Sequence, residues 1–358
     1  MNELKQLIQM SKYAGERLDL IQAGGGNSSV KFEDGTMAIK ASGFLLSDLS
    51  ENRGYSIVNN QLVTSIMESP QIVASEDKKS KESISNTLLK DTILTPDFRP
   101  SIETYLHALL AKYTLHTHPI AVNALTALPD WEERLLNIFG PDILLVEYDT
   151  PGIELALRLK KRYEVYMQTH SIKPSIVFLQ NHGLIASSDS FEDIQKITEE
   201  VTERLEHYLG TSFARYRNVN KVSKAVNRIH GSDRIAYLSE DRIIQEMLAS
   251  PSPLLSHTPY FPDGLVFLGY KVVQTDWDEL DHKIELYIQK YMEEPKAIVI
   301  EGSMYLIAAN VRKAKEMEDV LKLHLLAIQL SPGIVHTLPL DELKYLGNWE
   351  AEKFRQKQ

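Results

Sequence analysis

Cysteine is absent from the 358 residues, and so is any apolar run long enough to cross a bilayer. Without thiols the chain has no disulfide and no thiolate metal site, which agrees with a reducing compartment. A membrane-spanning helix needs roughly 18 to 20 apolar residues in succession. The N-terminal segment is charged throughout, unlike a signal peptide. These absences predict a cytoplasmic protein with no membrane partner.

Positive charge is also in short supply, since 39 lysines and arginines face 49 aspartates and glutamates, for a net charge of −10. Binding to nucleic acid depends largely on neutralising phosphates, so no nucleic-acid partner is expected. A local pocket of backbone amides and one lysine can still bind a small phosphate. The sequence has no GxGxxG dinucleotide fingerprint, no Walker lysine and no visible internal repeat.

Strand and helix patterns alternate along the chain, which predicts an α/β fold with a strand-rich core and helices around it. Asp34-Gly35 lies between two short apolar segments and predicts a β-hairpin. Pro100-Ser101 predicts a helix start with Ser101 as N-cap. Ser190 and Gly210 predict the two ends of another helix. Further strands are predicted at 143–148, 176–180 and 184–186.

The composition of the chain changes near residue 211. Residues 1–210 are predicted to form one domain, and the basic stretch 211–235 a connector. Residues 236–358 then predict a smaller α/β domain. Its predicted elements are a helix at 240–249, a strand at 265–268, a helix at 277–292, strands at 297–300 and 304–308, and a helix at 311–329.

Eleven histidines include one closely spaced pair, His116 and His118. On a strand, residues i and i+2 point to the same face, so the two imidazoles converge. Two imidazoles on one face are a minimal chelate for a divalent metal, although strand histidines also occur as ordinary core residues. His182 lies at a strand break between Asn181 and Gly183. A third imidazole from there would complete a catalytic type of site with open positions.

A carboxylate and a glycine-rich turn accompany the histidines. Glu103 comes just after the predicted helix start, where it can complement the helix dipole or lie near a metal as ligand or general base. The turn at 24–29 has glycines whose amides can approach an anion closely. Turn chemistry alone also explains each of these pieces. The candidate anion donors are Gly26, Asn27, Ser28, Ser42, Gly43 (next to Lys40) and Ser101.

Five motifs in this order resemble the class II aldolase/adducin family over residues 1–210: GGGNSS (24–29), KASG (40–43), PSIE (100–103), HTHP (116–119) and NHG (181–183). The stretches RPSIETYLHALLAKYTLHTHP, TPGIELALRLKK and NHGLIASSD are similar to the aldolase half of bifunctional rhamnulose-phosphate aldolase/alcohol dehydrogenases. FPDGLVFLG and LPLDELKYLGNWEAEKFR resemble, more loosely, the segment that is C-terminal to the aldolase core in those proteins.

The resemblance implies a class II aldolase-like central β-sheet flanked by helices, with a smaller C-terminal α/β domain, in a homo-oligomer that is usually a tetramer. It implies a divalent metal, usually zinc, on His116, His118 and His182, and Glu103 as the acid/base carboxylate. Retro-aldol cleavage of a phosphorylated ketose would pass through an enediolate stabilised by the metal and release dihydroxyacetone phosphate. The motifs place the substrate and its phosphate at Gly26, Asn27, Ser28, Ser42, Gly43, Ser101 and Asn181.

Several alternatives stay open at this point. A sugar-phosphate 4-epimerase would use the same metal site and the same bond cleavage. A non-catalytic, adducin-like interaction protein belongs to a different class, although such relatives have lost metal ligands that this chain retains. Some relatives borrow a catalytic tyrosine from a neighbouring subunit, and here Tyr113 and Tyr148 are candidates in name only. The motifs identify neither the sugar nor the role of the C-terminal domain.

Overall fold

The computed structural model describes residues 2–95, 97–249, 255 and 258–347, which divide into two compact units between Phe213 and Ala214. Both units combine a sheet with helices, so the α/β prediction is confirmed. Residues 348–355, the end of the stretch LPLDELKYLGNWEAEKFR, lie outside the described ranges. Of the helices in those ranges, none combines the length and apolarity that crossing a bilayer requires.

The first unit contains nine helices, seven strands and one short 3-10 turn within the described residues. In chain order they are α1 (Glu3–Gly15), β1 (Asn27–Lys31), β2 (Thr36–Lys40), the 3-10 turn (Leu46–Asp48), β3 (Tyr55–Asn59), α2 (Asn60–Ile66), α3 (Pro70–Ala74), α4 (Lys78–Lys90), α5 (Thr104–Leu109), β4 (Tyr113–Thr117), α6 (Ile120–Thr126), α7 (Trp131–Phe139), β5 (Leu144–Val146), α8 (Ile153–Thr169), β6 (Ile176–Leu179), β7 (Gly183–Ser188) and α9 (Phe191–Leu209).

The seven strands form one sheet in the order β3-β2-β1-β4-β7-β6-β5, and only the β5–β6 pair is parallel. β1 and β2 form the predicted hairpin, in which the Asp34 carboxylate accepts a hydrogen bond from the Thr36 amide at 2.9 Å. β4 lies at the centre of the sheet, between β1 and β7. Residues of β4 therefore pair with residues from two other segments of the chain.

Hydrophobic cores cover both faces of this sheet. Tyr113 and Leu115 of β4 pack with α1 and α9 on one face. Ile185 of β7 packs with α2, α5 and α8 on the other face. His116 pairs directly with Ile185, and directly paired residues of antiparallel strands share a face. The His116 side chain is therefore on the α5 face, next to the residues that precede α5.

The second unit has a four-stranded sheet in the order β8-β11-β10-β9. Its elements are α10 (Ala214–His230), β8 (Ile235–Leu238), α11 (Arg242–Leu248), α12 (Pro262–Leu268), β9 (Val273–Thr275), α13 (Leu280–Tyr291), β10 (Ala297–Ile300), β11 (Ser303–Ala308), α14 (Val311–Leu330) and α15 (Leu340–Gly347).

This second sheet repeats half of the first, although no repeat is visible in the sequence. The series β8, α11, α12, β9, α13, β10, β11, α14 matches the series β4, α6, α7, β5, α8, β6, β7, α9 in strand order and in every pairing direction. Ile185 and Tyr305 are each the third residue of the matched strands, and their partners are His116 and Leu238. The register thus places Leu238 and Glu240 of the second unit where His116 and His118 lie in the first.

Three local predictions differ from the structure. The expected strand at 265–268 is the end of helix α12, because four apolar residues cannot distinguish the two structures, whereas Pro262 at the first helical position and Gly269 just past the end favour a helix. The stretch 211–235, expected as a connector, contains helix α10, whose apolar positions are buried at helical spacing. Helix α5 begins at Thr104 rather than after Ser101, because Pro100 pairs in an extended bridge with Ala41.

Candidate metal centre

The two histidines of the HTHP motif lie at the end of the central strand. His116 is in β4 and fully buried, and His118 lies just past the last residue of that strand. The His118 amide donates to the Leu20 carbonyl at 2.9 Å, which keeps the backbone extended past the strand end. The Nε2 atoms of His116 and His118 are 3.1 Å apart. The i, i+2 spacing therefore brings both imidazoles to one face, as predicted.

The turn between β6 and β7 supplies the third imidazole. Asn181 has a left-handed backbone with φ of 52°, so the chain reverses there and β7 starts at Gly183. β7 pairs with β4, and this pairing brings His182 beside His116, with their Nε2 atoms 3.3 Å apart. Ligand atoms of His116, His118 and His182 all lie within 4.8 Å of one another. Two distant segments of the sequence thus meet at one point.

The protonation of His116 and His118 favours metal binding. His116 Nδ1 lies 3.0 Å from the Leu184 carbonyl oxygen, which can only accept, so Nδ1 carries the proton and Nε2 presents a lone pair. Burial lowers the pKa of His116 well below its usual value and lowers the pKa of His118 to about 4. Both rings are therefore neutral near pH 7, which is the form that binds a metal.

Glu103 lies against the histidine cluster from the α5 side. Its Oε1 is 3.1 Å from His182 Nε2, its Oε2 is 3.7 Å from His116 Nε2, and Asn27 Nδ2 donates to Oε2 at 2.5 Å. Burial acts to raise the pKa of Glu103. The electrostatic effects of His116 and His182 are together larger and lower the pKa to about 2. A carboxylate that stays ionised thus lies beside the neutral rings of His116 and His118. Glu103 was expected in the first turn of the helix, but it is the N-cap residue of α5.

The donor set fits a divalent ion. Nitrogens bound tetrahedrally at about 2.0–2.1 Å from zinc would be about 3.3 Å apart, close to the 3.1 and 3.3 Å measured here. Three imidazoles with a carboxylate nearby are typical of catalytic sites for zinc and similar ions. His116, His118 and His182 are therefore the residues that can hold the metal, with Glu103 adjacent.

Glycines allow the backbone segments to approach the cluster closely. A Cβ on Gly183 would lie 2.2 Å from the Thr117 carbonyl oxygen and 3.1 Å from His118 Cδ2. A Cβ on Gly26, which has φ of +69°, would lie 2.6 Å from the His116 carbonyl oxygen. A Cβ on Gly25 would lie 2.7 Å from His118 Nδ1. Side chains at these positions would displace residues 116–118, the segment that carries both histidines.

We expect Gly183→Ala to destabilise the protein by about 1 to 3 kcal/mol through overpacking. It should also weaken metal binding, because the contacted atoms belong to Thr117 and His118. Thermal unfolding and titration of metal into the metal-free protein would measure both effects. Gly333→Ala is the control, because a Cβ there meets nothing within 4 Å. Equal behaviour of the two variants would contradict the proposed steric role of Gly183.

The residues predicted to bind phosphate on the glycine-rich turn separate in the structure. Asn27 is the first residue of β1, pairs with His116 and contacts Glu103, so it lies at the cluster. Ser28 points to the opposite face of β1, where its hydroxyl is 2.6 Å from the Ser11 hydroxyl of α1. Its side chain is therefore not brought to the histidines. Gly26 is buried against the backbone of His116.

The remaining predicted residues lie in neighbouring loops. The Ser42 amide donates to the Arg99 carbonyl at 2.8 Å, which brings the 41–43 loop beside the segment before α5. Ser42 and Gly43 are exposed, and Gly43 has φ of +84°. Ser101 is buried, and its hydroxyl accepts from the Glu103 amide at 3.3 Å. Asn181 is exposed in the turn that carries His182.

The two candidate tyrosines differ in placement. Tyr113 is on the α1 face of β4, where its hydroxyl donates to Gln6 Oε1 at 2.6 Å, so it points away from His116. Tyr148 is exposed, and its amide donates to Gln180 Oε1 at 3.0 Å, close to the turn of His182.

Three buried groups near Glu103 are not among the predicted site residues. Lys40 is buried at the end of β2, and burial lowers its pKa to about 8 although Glu103 and Asp48 act to raise it. His107 and Ser29 are buried and joined by a hydrogen bond of 2.8 Å. Spacing could have indicated the last two, because Ser29 is two strand positions after Asn27 and His107 is one helical turn after Glu103.

Comparison with known proteins gives a family for this chain. Among solved structures, it is similar to the N-terminal class II aldolase domain of a conserved protein from Thermoplasma acidophilum (22% identity, 58% of this chain, 94% of that chain, TM-score 0.48). It is also similar to a sugar-phosphate aldolase from Thermotoga maritima (17%, 58%, 96%, 0.38) and to L-fuculose-1-phosphate aldolase from Thermus thermophilus (18%, 57%, 94%, 0.34). No curated protein matches. The family model for the class II aldolase and adducin N-terminal domain matches residues 5–209, more than half of the chain, which therefore belongs to the class II aldolase and adducin family.

Proposed function

We propose that this protein is a divalent-metal-dependent aldolase that cleaves or forms a carbon–carbon bond in a phosphorylated ketose. The observation that carries the proposal is the convergence of three imidazole Nε2 atoms on one point beside the Glu103 carboxylate. Retro-aldol cleavage needs an electrophile for the developing enediolate and a group that moves a proton. The cluster offers one place for each.

His116, His118 and His182 would hold the ion, and zinc is the ion we propose because three imidazoles leave an open position for substrate. A divalent ion at this place would act as a Lewis acid towards a carbonyl oxygen. His116 is fixed in the required tautomer by the Leu184 carbonyl, so its lone pair is directed before any ion arrives. Glu103 is the anionic group beside the cluster.

Glu103 would move the proton. Because Asn27 donates to Oε2, Oε1 is the oxygen left facing the histidines, 3.1 Å from His182 Nε2. A carboxylate whose pKa is lowered to about 2 is ionised at neutral pH and can accept a proton from a substrate hydroxyl. Asn27 Oδ1 is buried without a hydrogen-bond partner in the described residues. A substrate hydroxyl would satisfy that acceptor.

The anionic end of the substrate would lie near Lys40 and the adjoining loops. The Lys40 ammonium is buried, and its one hydrogen bond among the described residues is a long one, 3.4 Å, to the Ala41 carbonyl. A buried ammonium with one long hydrogen bond can still donate to an anion beside it. Ser42, Gly43 and Ser101 lie along the same loop pair and would add hydroxyl and amide donors. Phosphate held there would orient the ketose for cleavage.

Two other functions lead to different observable outcomes. An epimerase would interconvert two ketose phosphates without releasing a triose. An adducin-like interaction protein would bind no metal, and the retention of all three histidines with Glu103 argues against it. Homo-oligomerisation and a cytoplasmic location stay predictions. The second unit lacks histidines at Leu238 and Glu240, the positions equivalent to His116 and His118, so we propose one metal per chain.

We expect the metal-loaded protein to release dihydroxyacetone phosphate from at least one member of a panel of ketose 1-phosphates. Chelation should abolish the release and added zinc should restore it. The unphosphorylated ketoses are the control, because they lack the group that Lys40 would bind. Conversion to an isomeric ketose phosphate without triose would indicate the epimerase. A metal-loaded protein that leaves the whole panel unchanged would contradict the proposal.

A further inference from the structure

One face of strand β1 carries three polar side chains, and each of them bonds a different part of helix α5. Asn27 donates to the Glu103 carboxylate at the start of the helix. Ser29 shares a hydrogen bond of 2.8 Å with His107 Nδ1 in its middle. Lys31 donates to the Ala108 carbonyl at 2.9 Å, and to the Leu110 carbonyl, at its end. Side chains two residues apart on the strand thus bond the start, the middle and the end of the helix.

Helix α5 needs such bonds to keep its position. It has six residues, from Thr104 to Leu109, and helices shorter than about 12 residues are marginal by themselves. Glu103 precedes it as the N-cap residue with no side-chain capping bond, so its carboxylate moves with the first turn. Whatever holds the helix against β1 therefore also sets the distance from Glu103 Oε1 to His182 Nε2, now 3.1 Å.

The same strand also aligns the histidines. β1 pairs with β4 in a register that places Asn27 opposite His116, and Ser29 opposite Thr114. Strand β4, which contains His116, and helix α5, which follows Glu103, are thus both held against β1. A group that fixes α5 on β1 fixes the carboxylate relative to the imidazoles.

We propose that the Ser29–His107 pair positions Glu103 relative to the metal centre, a role that rests on the proposed function. Ser29 and His107 bond each other, so both act on Glu103 through α5. His107 is fully buried, and its Nε2 has no partner within the described residues, so Ser29 supplies its one hydrogen bond. Burial lowers the pKa of His107 to about 3, which keeps the ring neutral and able to share a bond with a hydroxyl.

The test variant is Ser29→Ala, and Ser11→Ala is its matched control. Ser11 is equally buried, and its hydroxyl bonds β1 through Ser28 on the opposite face. We expect Ser29→Ala to lower kcat by about 10- to 100-fold, because a misplacement of roughly 1 Å costs up to about 100-fold. KM and metal content should stay within about twofold of the wild type. Ser11→Ala should keep kcat within the same limit.

A second comparison separates positioning from general structural support. In a Glu103→Gln background, Ser29→Ala should change the residual rate by less than about twofold, because residues that act through one group are not additive. His107→Asn keeps a hydrogen-bonding group near the place of Nδ1 and should retain more of kcat than His107→Leu. An equal kcat for Ser29→Ala and Ser11→Ala would overturn the proposal. So would a loss of rate on adding Ser29→Ala to Glu103→Gln that is as large as the loss in the wild type.

Cobalt(II) absorption provides a readout without substrate, since the spectrum depends on the groups around the ion. We expect Ser29→Ala to shift the cobalt spectrum towards that of Glu103→Gln, and Ser11→Ala to leave it unchanged. If the wild type cleaves no ketose phosphate but the Ser29→Ala spectrum shifts, the proposed function fails and the positioning role stands. A Ser29→Ala spectrum identical to that of the wild type overturns the positioning role, whatever the activity.

Discussion

His116→Ala should lose both the metal and all measurable cleavage. The Nε2 of His116 is the one that lies within 3.3 Å of both other Nε2 atoms, so its removal leaves two imidazoles without a central partner. Losing an outer-shell partner of a ligand typically costs 10- to 100-fold in metal affinity, so losing the ligand itself should cost more than about 100-fold. Metal analysis of the purified protein and calorimetric titration would measure the loss.

Thermal unfolding gives an independent check of the same prediction. An ion that binds only the folded state stabilises it by about 2.7 kcal/mol at 100 times Kd. The wild type should therefore unfold at a higher temperature with zinc, and His116→Ala should not respond. His182→Ala should behave alike with less effect on the fold, since its side chain is 12% exposed and lies in a turn. His207→Ala, at an exposed position of α9, is the control. Full metal content in His116→Ala would contradict the assigned centre.

The convergence of the histidines was predictable in part, because two local rules contribute to it. The period of two along a strand places His116 and His118 on one face. The position of His182 comes from a turn, since Asn181 accepts the left-handed backbone that the reversal requires. What no local rule supplies is the pairing of β7 with β4, which brings the turn to the strand end. Only the combined order of the motifs along the chain indicated it.

Features that depend on long-range pairing were harder to predict. Ser101 looked like an N-cap, but the bridge between Ala41 and Pro100 keeps the chain extended there and delays the start of α5 by two residues. Ser28 looked like an anion donor, but alternation along β1 turns its side chain towards α1. The repeated topology of the second sheet is likewise invisible, because strand order is preserved while the side chains differ, as Leu238 in place of His116 shows.

The histidines and Glu103 are proposed to have different roles in this site. Substitution of Glu103 should therefore affect the protein differently from substitution of a histidine. The histidines would hold the ion, whereas the Glu103 carboxylate accepts from Asn27 at one oxygen and faces the cluster with the other. Glu103→Gln keeps the size of the side chain and an oxygen that can accept from Asn27. It removes the negative charge and the ability to take a proton. Metal content and the unfolding temperature should therefore stay close to those of the wild type.

Turnover should fall with Glu103→Gln by about 10²- to 10⁴-fold, the usual contribution of a positioned general acid or base. KM should change little if phosphate contacts dominate substrate binding. Steady-state kinetics on the ketose phosphate found in the substrate screen would measure both constants. Glu206→Gln is the matched control, because Glu206 is another buried glutamate, whose carboxylate accepts from the Phe213 amide at 2.8 Å. A wild-type kcat in Glu103→Gln would remove the acid/base role, and a loss of metal instead would make Glu103 chiefly a ligand.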